Sequence, residues 1–294
     1  MECASWLFPK NIKPKHVSRQ KAYGQNFLHH KPTIEKIINA TGDFLEKNQS
    51  AILEIGPGTG ALTSEIITLC EQHSLPFLII EKDLRLEKGI QKLILNKKNT
   101  ELIITDATTD TFVQKCLTFS TQTKLPLLIV SNLPYSVSTT ILARLCELIQ
   151  LKVEIQGCIV MVQKEVAMRI CAEAGDSENR GSFSLLMQSY FSPTKLFDVA
   201  PGAFVPSPKV TSTVLALTPL PNSKVSQFKE PEKFEKFCKA LFSKRRKMIR
   251  NTLSTLMNAQ ELQSTLKNCT LDGTERIETL ELETVIELFK HLTQ

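Results

Sequence analysis

The most chemically specific segment of this 294-residue chain is Asn132-Leu133-Pro134-Tyr135. The exocyclic amine of a nucleobase is a poor nucleophile because its lone pair is delocalised into the ring. A site that alkylates it must favour the pyramidal nitrogen. The Asn132 side-chain oxygen and the Leu133 main-chain carbonyl can each accept one amine hydrogen. Pro134 would fix the turn and adds no competing N–H. Tyr135 offers a ring on which a base turned out of its helix can stack. No strong base is required, because the proton leaves readily once the nitrogen is cationic. Taken alone, the same four residues are also an ordinary Asn-Pro-type turn.

Upstream, Glu54-Ile55-Gly56-Pro57-Gly58-Thr59-Gly60 follows an apolar run and opens a helix. Glycines there let the backbone approach a ligand closely, and the helix N-terminus offers free N–H groups. With Ala61 the loop also satisfies G-x-G-x-x-A, so by itself it fits a dinucleotide as well as S-adenosylmethionine. Glu81 lies about 20 residues further on, where a carboxylate grips a ribose diol, and both cofactors carry one. The plainer reading is a tight turn and a surface Glu. Asp106, followed by Ala107, ends a third strand and is placed to accept a hydrogen bond from a cofactor's adenine amine. A lone strand-end Asp is more often a cap or turn residue. The order of loop, Glu81, Asp106 and tetrapeptide decides between these readings. A dehydrogenase has no use for Asn-Leu-Pro-Tyr, so S-adenosylmethionine and amine methylation fit best.

These residues need elements that bring them to one edge. The apolar runs Ala51–Ile55, Phe77–Ile80, Glu101–Thr105, Leu127–Val130 and Cys158–Val162 predict strands. Helical segments including Leu62–Cys70, Thr139–Leu148 and Lys164–Ala174 separate them, and another helix starts near Pro32-Thr33. Non-alternating strands joined by helices predict a parallel sheet covered on both faces, in an α/β Rossmann-like fold. Val210–Leu217 is a further strand candidate, and Pro219 and Pro221 mark a linker. The expected organisation is a basic arm over 1–20, a methyltransferase domain over 21–219 and a small all-helical domain over 222–294. Lys244, Arg245, Arg246 and Lys247 with Arg250 form a dense basic patch, expected on a helix where Arg246 and Arg250 share a face and Phe242, Met248 and Ile249 pack inward. A solvated helix face is the usual reading of such a run. Here phosphate contact is favoured, with Lys10, Lys13, Lys15, Arg19 and Lys21 of the arm adding to it.

At 42% hydrophobic the chain has ample material for a core, and its net charge of +6 permits a nucleic-acid partner without demonstrating one. No apolar run is long enough to span a membrane, and the first residues lack the charged start, apolar stretch and small-residue cleavage site expected of a secretory signal. Residues 3–34 lack acidic side chains, as organellar transit peptides do, but Arg19 is their only arginine. Of the 8 cysteines none forms Cys-x-x-Cys or a zinc-ligand spacing with histidine, and His29-His30 has no partner ligands. A reduced, metal-free, cytoplasmic protein is expected.

The chain resembles the ribosomal RNA adenine dimethyltransferases, specifically the small-subunit enzymes linked to kasugamycin sensitivity. The resemblance runs through Lys21–Leu28, Glu54–Gly60, Glu81, Asp106, Asn132–Tyr135, Gln163–Ala167, Ala203–Val210 and Phe242–Leu253. It implies that Asn26, Leu28, Gly56, Glu81, Asp106 and Asn132 contact S-adenosylmethionine. It also implies that Phe204 stacks opposite Tyr135, sandwiching the target base. The implied reaction adds two methyls to each of two adjacent adenosines in the hairpin near the 3′ end of small-subunit rRNA. The implied partner is that rRNA in a pre-30S-type particle, and the implied state is a monomer with an assembly-checkpoint role. One departure is visible: Arg180-Gly181-Ser182-Phe183-Ser184 stands where the family has Tyr-Gly-x-Leu-Ser. That puts a secondary contact in doubt, although Phe183 keeps an apolar side chain at the Leu position. Two other functions compete. A large-subunit rRNA methyltransferase of the macrolide-resistance type shares the cofactor loop, but commonly carries Ile at the position of Leu133. A ribosome-assembly or transcription factor could keep the fold without activity.

Overall fold

A computed structural model describes residues 25–221, 223, 225 and 228–293. The expected basic arm, and Lys21 to Gly24 of the following segment, lie outside them.

The central sheet forms where the apolar runs predict it. β2 (Ala51–Ile55) and β3 (Phe77–Glu81) are buried at every position, as strands covered by helices on both faces must be. β4 (Thr100–Ile104), β5 (Leu127–Asn132) and β6 (Ile155–Gln163) complete a parallel set ordered β4-β3-β2-β5-β6. β9 (Ser212–Pro219) then runs antiparallel to β6, and β7 (Phe191–Val199) antiparallel to β9. A separate two-stranded ribbon pairs β1 (Phe27–Leu28) with β8 (Phe204–Val205). β7 has no counterpart in the sequence reading. It is an edge strand, mostly exposed and interrupted by Pro193, so its pattern carries little of the burial that identifies a strand.

The helices divide between the two faces. α1 (Lys31–Leu45), α2 (Ala61–His73) and α3 (Leu84–Ile94) cover one apolar cluster, which includes Ile37, Ile66 and Ile90. α4 (Asp110–Thr123), α5 (Ser138–Gln150), α6 (Lys164–Cys171) and α7 (Ser182–Tyr190) cover the other. The second cluster continues without a break into the C-terminal helices α8 (Glu232–Ser243), α9 (Ile249–Leu253), α10 (Ala259–Asn268) and α11 (Leu282–Thr293), through Phe234, Leu253 and Phe289. None of the described helices is long and apolar enough to cross a membrane.

Arg180, the departure noted above, is the joint between the sheet region and the C-terminal helices. Only 2% exposed, it donates to the Ala172 carbonyl at 3.3 Å and to the Leu280 carbonyl at 2.8 Å. Burial lowers the pKa of its guanidinium, against the pull of Glu281 and Asp176. Phe183 packs against the same apolar cluster.

Two expectations about the basic patch fail. Lys244 to Lys247 lie in the turn after α8, not on a helix, so Arg246 and Arg250 share no helical face. The Lys247 N–H donates to the Lys244 carbonyl at 2.8 Å, which closes the chain on itself there. Met248 is 48% exposed and does not pack inward, whereas Ile249 is buried. A backbone bridge between Met248 and Arg276 holds the chain extended at the position where a continuing helix would have turned that side chain inward.

Candidate active site

Strand order decides where a ligand can sit. β2 is flanked by β3 on one side and β5 on the other, so the crossovers diverge there and leave a crevice at the strand C-termini. Glu54 is in register with Val130, which puts the glycine loop beside the start of the tetrapeptide. The resulting cleft is lined by Gln25 to Leu28, Glu54, Gly56 to Thr59, Ala61, Leu62, Glu81 and Asn132 to Tyr135.

Each wall has a local cause. Gly58 has φ +59°, and a Cβ there would come within 2.8 Å of the Phe27 ring, so only glycine admits this close approach. The Gly56 N–H is tied to the Ile80 carbonyl at 2.8 Å, and Ser131 Oγ donates to the Ile55 carbonyl at 2.5 Å, which fastens the loop to both neighbouring strands. Glu81 Oε1 accepts the N–H groups of Lys82 and Asp83, each at 2.7 Å. Burial nonetheless raises the Glu81 pKa, outweighing those bonds.

Asn132 ends β5, half-buried, with its amide wedged between two segments. Nδ2 donates to the Asn26 carbonyl at 3.3 Å. A carbonyl can only accept, so this contact fixes which end of the amide is oxygen. Oδ1 is buried and has no hydrogen-bond partner among the described residues. Buried acceptors are rarely left unpaired in folded proteins, so this oxygen is suited to accept from a donor that enters the cleft.

Over residues 17–294 the chain matches the family model described as ribosomal RNA adenine dimethylase. It is 36% identical over 273 residues to the ribosomal RNA small subunit methyltransferase A of Wolbachia pipientis subsp. Culex pipiens, covering 92% of this chain and 94% of that protein. Its identity to the protein of the same name from Coxiella burnetii is 35% over 247 residues, covering 84% and 89%. This chain belongs to the ribosomal RNA adenine dimethylase family. The fold of this family member is shared with a dimethyladenosine transferase from Plasmodium falciparum, at a TM-score of 0.71 and 23% identity, covering 91% of this chain and 97% of that one. It is also shared with the 23S rRNA methyltransferase ErmE, at a TM-score of 0.62 and 20% identity, covering 92% and 100%. The mostly parallel sheet with flanking and C-terminal helices is thus a fold shared with both of these proteins.

Within this dimethylase-family chain, seven sequence-predicted residues come together at the cleft: Asn26, Leu28, Gly56, Glu81, Asn132, Leu133 and Tyr135. Asp106 and Phe204 do not line it. Asp106 Oδ1 accepts from the Thr108 N–H at 2.9 Å and its hydroxyl at 2.8 Å, while Oδ2 pairs with Lys82 Nζ at 2.6 Å. Desolvation pushes its pKa up, but the Lys82 and Thr108 bonds together hold it below the usual carboxylate value. Phe204 is 2% exposed, packed in the α1–α3 cluster and backbone-paired to Leu28.

One cleft residue escaped the sequence reading as a site in its own right. Glu54 is 1% exposed, accepts from Thr63 Oγ1 at 2.8 Å, and burial pushes its pKa up to about 8. It was visible only as the residue before Ile55-Gly56. Its place inside the run Ala51–Ile55, expected to be covered on both faces, was the signal that could have found it, although glutamates are seldom fully enclosed.

The basic residues form a separate surface. Arg250 donates to the Asp272 carbonyl at 2.6 Å, and Arg245 reaches the Ser177 carbonyl. Lys244, Arg246 and Lys247 are exposed on the turn.

Proposed function

We propose that this protein methylates the N6 amine of two adjacent adenosines in the 3′-terminal hairpin of small-subunit rRNA, giving N6,N6-dimethyladenosines. Family membership and the names of its relatives support the reaction class. The observation that carries the reading to the residues is the buried, unpartnered Oδ1 of Asn132.

S-adenosylmethionine supplies a methyl group on a positively charged sulfur. The donor set of the cleft suits it. Glu81 offers a carboxylate oxygen for a ribose diol, and the glycine loop leaves room for a close approach by Gly56. Asn26 and Leu28 also line the cleft. Asp106, held ionised by Lys82, is an acceptor for the cofactor's adenine amine. The target amine donates one hydrogen to Asn132 Oδ1 and the other to the Leu133 carbonyl, which stabilises the pyramidal nitrogen as charge develops. Tyr135 supplies a stacking face for the target base. The Phe204 half of the sandwich requires its ring to be uncovered, because in this conformation it faces the core.

The RNA backbone would be held by the basic turn, chiefly Lys244, Arg246 and Lys247, with Arg245 and Arg250 also tethering neighbouring loops. We place the protein in the cytoplasm, as a monomer acting on a pre-30S-type particle during subunit biogenesis. The seven described cysteines are free thiols, as a reducing compartment permits.

The test is to incubate unmethylated small-subunit particles and bare large-subunit rRNA with labelled S-adenosylmethionine and map the modified positions. Label at two adjacent adenosines of the small-subunit hairpin is the expected result. Label in large-subunit rRNA would indicate the macrolide-resistance type of activity. No label anywhere would indicate a binding factor on a methyltransferase fold.

A further inference from the structure

The ring of Tyr135 is held at both ends. At its base, the Val137 N–H donates to the Pro134 carbonyl at 3.1 Å and Ser138 Oγ donates to the Tyr135 carbonyl at 3.3 Å, so the turn fixes the direction of the Cα–Cβ bond. At its tip, the phenol hydroxyl hydrogen-bonds to Ser212 Oγ.

Ser212 is an unusually rigid place from which to offer a hydroxyl. It opens β9 and is 0% exposed. β9 is hydrogen-bonded on both sides, so Ser212 is paired with Gln163 of β6 and with Val199 of β7. Strand alternation separates it from its neighbour. Thr213 sends its Oγ1 to Asp198 at 2.7 Å, while Ser212 points to the opposite face and meets Tyr135. A fully buried serine on a strand would otherwise be an unsatisfied polar group, and its recorded side-chain partner is this phenol.

We propose that Ser212 is a positioning residue for methyl transfer, which acts by anchoring the Tyr135 ring in the orientation that receives the target base. The inference rests on the proposed stacking role of Tyr135 and adds a residue outside the cleft lining. Stacking needs a ring plane already at the right tilt. A phenol free to change its χ angles must be ordered in each encounter, which costs rotamer entropy. Tethering the hydroxyl to a central strand removes that cost before the base arrives. Pushed up by burial, the pKa of Tyr135 keeps its phenol neutral and able to donate or accept in this bond.

The test is a double-mutant cycle in the full-length protein, with Ser212→Ala, Tyr135→Phe and the pair, assayed on unmethylated small-subunit particles. Each single variant removes one partner of the same bond. Each should lower kcat by about three- to tenfold, the size of one net hydrogen bond. The KM for S-adenosylmethionine should stay unchanged, and the double variant should be no slower than either single one. Effects that multiply in the double variant would overturn the proposal, as would a loss confined to thermal stability. A second arm does not depend on activity: crystal structures of wild type and Ser212→Ala would show whether the Tyr135 ring occupies one rotamer or several. One unchanged rotamer in the variant would also overturn the proposal. If wild type methylates no rRNA, the functional reading fails, while the rotamer comparison still decides the anchoring claim.

Discussion

The cleft at the sheet's carboxyl edge and the basic turn after α8 present polar groups in opposite ways. In the cleft, the polar side chains are few, enclosed and held by specific partners: Asn132 by Asn26, Glu81 by the Lys82 and Asp83 amides, Glu54 by Thr63. At the turn, Lys244, Arg246 and Lys247 are exposed on long flexible stems. The first arrangement suits chemistry, which needs fixed acceptors in a dry site. The second suits attraction of a phosphate backbone, which needs charge more than geometry. Arg180 belongs to neither region: it ties the segment after α6, at Ala172, to the C-terminal helices at Leu280.

Three variants should break or sharpen this contrast. The largest effect expected is on the cleft's buried carboxyl. The pKa of Glu54 is raised from 4.5 to about 8 in the folded chain. Folding therefore takes up a proton between those values, and the stability associated with the neutral acid is complete below pH 4.5 and lost as pH rises through 8. Between pH 5 and 8, wild type should lose on the order of 3 kcal/mol relative to Glu54→Gln, read from urea unfolding at each pH. Parallel stability curves for the two proteins would show that Glu54 titrates normally.

Next comes the joint. Arg180→Ala removes two donors and leaves a cavity. It should lower stability by about 2–4 kcal/mol, and hydrogen exchange should rise first at residues 172–181 and near Leu280. Exchange rising evenly over the whole chain would argue against a local clamp.

The smallest effect is at the turn. Replacing Lys244, Arg246 and Lys247 together by Ala should weaken rRNA binding by about tenfold at physiological salt and lower the salt slope by about 2. It should leave the unfolding midpoint unchanged. An unaltered slope would remove the turn from the RNA interface.

The same contrast explains what the sequence disclosed. Buried parallel strands announce themselves as apolar runs, so β2, β3 and β5 were legible, and with them the positions of Gly56, Glu81 and Asn132 at the strand ends. β7 was not, because an edge strand with Pro193 and mostly exposed side chains lacks that pattern. At the basic turn the composition was readable but the geometry was not. Lys and Arg are good helix formers, so propensity alone favours continuing α8, whereas the extended backbone at Met248, bridged to Arg276, is incompatible with one helix running through the patch. Burial of individual side chains was the least visible property. Neither the enclosed Glu54 nor the buried Arg180 could be read from residue type, since both belong to classes that are almost always exposed.

The most direct measurement is single-turnover methyl transfer by Asn132→Ala on unmethylated small-subunit particles, with RNA affinity measured in parallel. If Oδ1 is the acceptor that stabilises the reacting amine, transfer should fall by about 100-fold or more, the usual cost of removing one such group, while RNA affinity changes less than about twofold. Near-normal turnover in the variant, or an equal loss of RNA affinity, would contradict the account.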